Sequence, residues 1–312
     1  MPSTHVDTIP VVVIAGPTGT GKSALASAVA QALNGVIINA DSRQVYADFP
    51  IITAQPSLRD FVKVTHRLYA FMSIRKKLSA GAYALLAKGE IVAAHKNNRT
   101  PILVGGTGLY LQSLLSGIAP IPPVAPAISR HWQEECEKQG SCALHALLKE
   151  RDPESAARLH PHDSQRITRA LEVLESTGYP LGYWHSLPLP PSMYHVLSFR
   201  TDIDMDDLTP KLAERIEAMI AQGAIEEAQK AYERCPDSAA PGWSGIGCAE
   251  LFKYLSGQTD LETCKALWLQ NTRAYAKRQK TWFKRDAAMT HCKSGDVDPV
   301  LRRIAEEIPS RS

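Results

Sequence analysis

Five consecutive apolar residues, Val11-Val12-Val13-Ile14-Ala15, run directly into Gly16-Pro17-Thr18-Gly19-Thr20-Gly21-Lys22-Ser23. From Ser23 to Leu33, Ala and Leu then recur at helical spacing. A β-branched run without polar alternation predicts a strand covered on both faces, as in a parallel sheet. The loop fits G-x-x-x-x-G-K-[ST] at every fixed position and lies where that pattern requires, between a strand and a helix. Its glycines let backbone N–H groups converge on phosphate oxygens with no Cβ in the way. The helix N-terminus adds a partial positive charge. Gly16, Pro17, Thr18, Gly19, Thr20, Gly21, Lys22 and Ser23 are therefore the expected diphosphate- or nucleotide-binding residues. Lys22 is read as a point charge on the phosphates and the Ser23 hydroxyl as a Mg²⁺ ligand. The loop predicts phosphate binding but does not choose the phosphate compound or the reaction.

The same grammar continues along the chain. Gly35-Val36-Ile37-Ile38-Asn39 reads as a second buried strand closing at Asp41-Ser42, and Pro101-Ile102-Leu103-Val104 as a third closing at Gly105-Gly106. Residues Ile91 to His95 end a helix before it. Alternating strand and helix implies a right-handed α/β arrangement with ligands at the strand C-termini. The expected fold is a P-loop NTPase-like parallel sheet with flanking helices and a helical insertion domain. Two proline clusters, Pro120–Pro126 and Pro188–Pro191, bracket helical patterns at Ile128–Gln139, Cys142–Arg151, Glu154–Leu159 and Gln165–Thr177. The predicted organisation is a core over 1–118, a helical insertion over 119–193, and a return to the core with C-terminal helices over 194–312. The competing reading is one continuous domain with proline-rich surface loops. His195–Phe199 reads as the returning strand, followed by helices at Asp206–Gln222, Ile225–Arg234 and Leu261–Arg285. The last helix carries Lys265, Arg273, Lys277, Arg278, Lys280, Lys284 and Arg285, with Glu262 its only carboxylate.

With 312 residues, 44% of them hydrophobic and 21% charged, the chain can bury a large core. A net charge of +3 does not by itself indicate nucleic acid, so the local distribution must decide. No two of the six cysteines form a Cys-x-x-Cys pair, which removes the zinc-ribbon and redox-motif readings and fits reduced thiols. Residues 1–10 are polar, with no signal peptide expected, and no apolar run approaches membrane-span length. A cytoplasmic protein without membrane association is expected.

Asp41 lies just beyond the second strand, where side chains look into the ligand crevice. From position alone it is a general base, a Mg²⁺ partner through water, or a helix cap together with Ser42. P-loop kinases of small molecules also place acids there. No Asn-Lys-x-Asp motif occurs, which argues against a GTPase.

Five stretches together resemble the tRNA dimethylallyltransferase (tRNA isopentenyltransferase) family. They are Gly16–Ser23, Asp41-Ser42-Arg43-Gln44-Val45-Tyr46, Val104-Gly105-Gly106-Thr107-Gly108-Leu109-Tyr110-Leu111, His162–Val173, and Lys277-Arg278-Gln279-Lys280-Thr281-Trp282-Phe283. They occur in family order and span nearly the whole chain. The resemblance implies transfer of a dimethylallyl group from dimethylallyl diphosphate to N6 of the adenosine 3′ of the tRNA anticodon. It implies Asp41 as the base that takes the N6 proton, with Thr18 and Thr107 at the reacting end. It also implies that Asp41, Ser42, Arg43, Gln44, Thr107, Gln165, Arg166, Ile167, Thr168 and Arg169 contact the tRNA anticodon loop. Lys277 and Arg278, in the basic stretch, would follow RNA phosphates. Similar proteins work as monomers, so a Mg²⁺-dependent monomer is expected.

Several positions depart from the family pattern. Gln55 stands where a lysine is usual, Ala70 where an acid is usual, and Lys211 where an arginine is common. Cys248 and Ala249 replace an aromatic and a basic residue. The alternatives to a prenyltransferase are a P-loop small-molecule kinase, which would hold ATP in the loop, and a non-catalytic RNA-binding protein. Retention of Lys22, Ser23 and Asp41 together counts against the latter.

Overall fold

The apolar runs become the strands of one all-parallel sheet in a computed structural model of the chain, which describes residues 8–308. Residues 1–7, within the stretch read as lacking a signal peptide, and residues 309–312, the end of the last core segment, lie outside the described residues. The strands are β1 (Ile9–Ala15), β2 (Gly35–Asn39), β3 (Thr65–Arg67), β4 (Thr100–Gly105), β5 (Tyr194–Thr201) and β6 (Thr290–Cys292), in the order β3-β2-β4-β1-β5-β6. β1 is central, with Ala15 opposite Gly105 of β4 on one side and Arg200 of β5 on the other.

Helices on both faces explain why the central strands lack alternation. Val11, Val13, Val36, Ile38 and Leu103 bury one face against α3 (Ala80–Lys96) and α4 (Gly108–Leu115). Val12, Ile14, Ile37, Ile102 and Val104 bury the other against α1 (Lys22–Ala32) and a C-terminal helix over Val297–Glu307. A short α2 (Leu58–Lys63) precedes β3. The edge strands β3 and β6 have three residues each and read Thr-His-Arg and Thr-His-Cys, so neither carries an apolar run that sequence patterning detects.

Residues Gly117–Pro191 form a second compact unit. It holds α5 (Pro126–Gln139), α6 (Ser141–Arg151), α7 (Pro153–Arg158), α8 (Ser164–Thr177) and α9 (Leu181–Ser186). Trp132, Leu144, Leu148, Ile167 and Leu171 make its own core.

Back in the first unit, α10 (Met205–Ala221), α11 (Ala224–Arg234), α12 (Cys248–Leu255) and α13 (Leu261–Lys284) follow β5, and α14 is the Val297–Glu307 helix. Helices α10 to α13 gather Trp243, Trp268, Leu251 and Ile216 around Val45, Phe49 and Ile52 of the loop after β2. The loop carrying Asp41 is thereby anchored to a core of its own. Among the described residues no helix is long and apolar enough to cross a membrane, and the six cysteines are free thiols.

Candidate active site

The C-terminal ends of four neighbouring strands deliver the polar groups. β1 runs into the loop Gly16–Gly21, β2 into Asp41, β4 into Gly106-Thr107, and β5 ends at Thr201. Gly21, the residue before α1, has φ +82°, a conformation costly for any residue with a Cβ. Thr20 is buried; its hydroxyl donates to the Pro17 carbonyl at 2.8 Å and shares a 2.6 Å hydrogen bond with Thr201 Oγ1. Its side chain therefore braces the loop from below, leaving only its backbone N–H for an anion. Lys22 Nζ lies 3.3 Å from the Pro17 carbonyl. Burial pulls the Lys22 pKa down to about 8; the Asp41 carboxylate opposes that shift and the Arg215 guanidinium adds to it. Ser23 is exposed in the first turn of α1.

Asp41 caps no helix. Its Oδ1 accepts from the Arg43 N–H at 2.8 Å, an Asx turn that bends the chain after β2. Asn39, fully buried, accepts from the Asp41 N–H at 2.9 Å and donates to the Asp41 and Leu68 carbonyls at 3.0 and 2.9 Å. Thr107 Oγ1 accepts from the Ser42 N–H at 2.9 Å and donates to Ser42 Oγ at 3.3 Å. Tyr275 of α13 also hydrogen-bonds Thr107, and burial raises its pKa to about 12, with the Asp41 charge reinforcing the shift. The threonine expected at the reacting end thus ties the β2 and β4 loops together. Arg43 Nη1 donates to Ser244 Oγ at 2.8 Å, and Gln44 Nε2 to the Thr53 and Ala54 carbonyls at 3.0 and 2.7 Å. Both side chains shape the loop that bears Asp41.

Above these groups lies a cavity of about 290 Å³. Thr18, Asp41, Ser42, Arg43, Arg215 and Arg278 line it with polar groups. Ile52, Leu212, Ile216, Met219 and Trp268 line it with apolar surface. Burial lowers the Arg215 pKa, opposed by Asp41, and no hydrogen bond or ion pair holds its guanidinium among the described residues. Arg278 stacks over Tyr275 at 5.7 Å.

The basic helix α13 divides into two sets. Lys280 is tied to Asp202 at 3.1 Å and Asp204 at 3.4 Å, and Lys265 to Glu217 at 2.7 Å, so both belong to the protein's own ion pairs. Arg273, Lys277, Lys284 and Arg285 are exposed and make no ion pair among the described residues. In the helical unit, Gln165, Arg166 and Arg169 are exposed on α8, with Arg166 paired to Asp163 and Arg169 to Glu172 at 3.1 Å. The Ile167 side chain is fully buried in that unit's core, and the Thr168 hydroxyl donates back to the Ser164 carbonyl at 2.9 Å. The Ile167 side chain is thus enclosed, whereas Thr168 is half-buried on the surface of α8.

Two of the departures from the family pattern, Gln55 and Cys248, have local explanations, and those at Ala70, Lys211 and Ala249 have none in the structure. Gln55 closes its loop through the Tyr46 carbonyl at 2.8 Å, and Cys248 is buried in the α10–α13 core. Lys211 is exposed. Sequence reasoning assigned no part to Asn39, Tyr275, Gln279 or the apolar wall. Asn39 ends a strand like any polar residue, and the wall residues come from three distant segments that only folding brings together.

A family profile described as IPP transferase matches residues 44–286. The chain belongs to that family. Among its relatives, a tRNA dimethylallyltransferase of Oleidesulfovibrio alaskensis is 51% identical over 300 residues, covering 96% of this chain and 98% of the relative. Solved structures of IPP transferases share the fold, an all-parallel P-loop NTPase-like sheet with flanking helices. One, a tRNA isopentenylpyrophosphate transferase from Bacillus halodurans, is 30% identical with a TM-score of 0.70, covering 96% of this chain and 95% of that one. Another, a eukaryotic dimethylallyltransferase acting on tRNA, is 28% identical with a TM-score of 0.80, covering 95% of this chain and 78% of that one.

Proposed function

We propose that this chain moves a dimethylallyl group from dimethylallyl diphosphate to N6 of the adenosine 3′ of the tRNA anticodon. The observation that carries the reading is the single cavity in which a P-loop threonine, Asp41 and unpaired Arg215 share a space with Ile52, Leu212, Ile216, Met219 and Trp268. A donor with an anionic diphosphate head and a five-carbon apolar tail matches both linings.

The chemistry follows from the charges. An exocyclic adenine amine is a weak nucleophile, so diphosphate must be made a good leaving group. The loop N–H groups, Lys22 and Arg215 stabilise the negative charge that builds as the allylic C–O bond breaks. The electron pair leaves with the diphosphate, N6 forms the new bond to the allylic carbon, and the N6 proton passes to the Asp41 carboxylate. The apolar wall keeps water from the allylic carbon, where hydrolysis would compete. The target base must be turned out of the anticodon stack, at a cost of roughly a few kcal/mol.

Mg²⁺ fits the donor set. Among the described residues no cluster of His, Cys, Asp and Glu is arranged to hold a metal, and at the start of α1 the Ser23 hydroxyl offers one hard oxygen. That suits an ion that keeps its waters and takes most remaining ligands from substrate phosphates. Bound there, Mg²⁺ would neutralise charge on the departing diphosphate. We further propose that the helical unit contacts the tRNA through Gln165, Arg166 and Arg169, and that the protein acts as a cytoplasmic monomer.

Incubation with Mg²⁺, labelled dimethylallyl diphosphate and unmodified tRNA tests the reading. Label on tRNA supports it. Label passing instead from γ-labelled ATP to a small metabolite, with none from the prenyl donor, overturns it in favour of a kinase.

A further inference from the structure

One carboxamide joins the two loops that carry the reacting threonines. Gln279 of α13 is buried, 4% exposed. Its Oε1 accepts from the Thr18 N–H at 3.0 Å, and its Nε2 donates to the Gly106 carbonyl at 2.9 Å. The approach is tight: a Cβ added to Gly106 would sit 2.0 Å from Nε2. Gly106 immediately precedes Thr107, which holds Ser42. On the same helix Tyr275 bonds Thr107, and a Cβ on Gly108 would meet the Trp282 indole nitrogen at 1.9 Å.

Resting on the prenyl-transfer reading, we propose that Gln279 is a positioning residue that sets Thr18 and Thr107 for the reaction. A neutral amide of this length supplies an acceptor for Thr18 and a donor for Gly106 at once, at any pH. A carboxylate would face the Gly106 carbonyl and add negative charge beside the diphosphate; a lysine cannot accept. An apolar side chain would leave a buried N–H and a buried C=O without partners, and the peptides bearing them would turn. The Thr18 hydroxyl would then swing away from the cavity it lines, while the amides of Gly19–Ser23 that grip diphosphate stay in place. The loss should therefore fall on the chemical step rather than on donor affinity.

Two variants test this. Gln279→Met keeps the length and removes both polar groups. Its single-turnover transfer rate should fall about thirtyfold or more while the dissociation constants for dimethylallyl diphosphate and tRNA stay within about threefold. Gln279→Glu should be equally impaired near pH 8. Its rate relative to wild type should then recover as pH falls, because a protonated carboxyl again offers one donor and one acceptor. A merely structural defect would give no such recovery, and this profile decides the matter should Gln279→Met fail to fold. A Gln279→Met rate within about threefold of wild type, or a pH-independent ratio for Gln279→Glu, overturns the proposal. Hydrogen exchange at the Thr18 amide reads the same contact without turnover. It should be slow in the wild type and faster in Gln279→Met, and equal rates would also overturn the proposal. An inactive wild type with a protected Thr18 amide would instead reject prenyl transfer and leave the contact standing.

Discussion

The carboxamide of Asn39 grips Asp41 by its backbone: Oδ1 accepts from the Asp41 N–H at 2.9 Å and Nδ2 donates to the Asp41 carbonyl at 3.0 Å. The same Nδ2 reaches the Leu68 carbonyl at 2.9 Å, so one fully buried side chain satisfies three backbone groups where β2 leaves the sheet. Asn39→Leu would orphan all three. Each buried unsatisfied group costs about 1–3 kcal/mol, so stability in urea unfolding should drop by roughly 2 kcal/mol or more. The turnover of the remaining folded protein should fall about tenfold or more, since the carboxylate loses its fixed bearing. A variant with wild-type turnover would show that the Asx turn alone aims Asp41.

Much of the fold was legible because its signals are local. The runs at Val11–Ala15 and Gly35–Asn39 are short, β-branched and bounded by glycine or turn residues, which favours strands covered on both faces, and the glycines of the P-loop announce a backbone that must approach an anion. Thr18, Lys22 and Asp41 were singled out for the same reason, the first two in the segment joining β1 to the first turn of α1 and the last just past the end of β2. The apolar wall was not readable. Ile52, Ile216 and Trp268 lie more than a hundred residues apart in part, and nothing in their own neighbourhoods distinguishes them from core. The basic helix was half readable: charge counting found Lys277 and Lys280 alike, whereas the pairing of Lys280 with Asp202 depends on where β5 ends.

Asp41→Ala removes the proposed base and the negative charge that supports the Lys22 ammonium. Turnover should fall roughly a hundredfold or more while tRNA affinity stays nearly intact. Single-turnover kinetics with a filter-binding measurement separate the two. Lost tRNA binding with a normal rate would assign Asp41 to recognition instead.

Lys22 links the site to pH. Burial holds its folded pKa at about 8, below the ordinary 10.5, so the unfolded chain carries the extra proton between those values. Stability should therefore rise with pH through that window, the opposite of what a salt-bridged lysine gives. A bound diphosphate favours the charged ammonium and raises its pKa, so donor binding above about pH 8 must take up a proton, weakening by up to about tenfold per pH unit. Calorimetric titration with dimethylallyl diphosphate at pH 7 and pH 9, in two buffers of different ionisation enthalpy, reads that uptake directly. Uptake should be present at the higher pH and absent in Lys22→Met. No proton linkage in the wild type would mean that Lys22 is already charged throughout.

The two sets of cations on α13 make opposite predictions for salt dependence. Each lysine or arginine that neutralises an RNA phosphate steepens the fall of log affinity with log salt by about 0.7. Lys277 is exposed and unpaired, and Arg278 presents its guanidinium over Tyr275 at the cavity, so Lys277→Ala and Arg278→Ala should each flatten the slope by about that amount. Lys280 already satisfies Asp202 at 3.1 Å, Asp204 at 3.4 Å and the Ile203 carbonyl at 2.9 Å. Lys280→Ala should leave the slope unchanged and instead lower thermal stability, because it leaves the largely enclosed Asp202 carboxylate with only Arg200 at 3.6 Å as ion-pair partner and leaves the Ile203 carbonyl without its Lys280 donor. Equal slopes for the wild type, Lys277→Ala and Arg278→Ala would reduce this face of the helix to solvated surface. A flattened slope in Lys280→Ala would mean that RNA opens its ion pairs on binding.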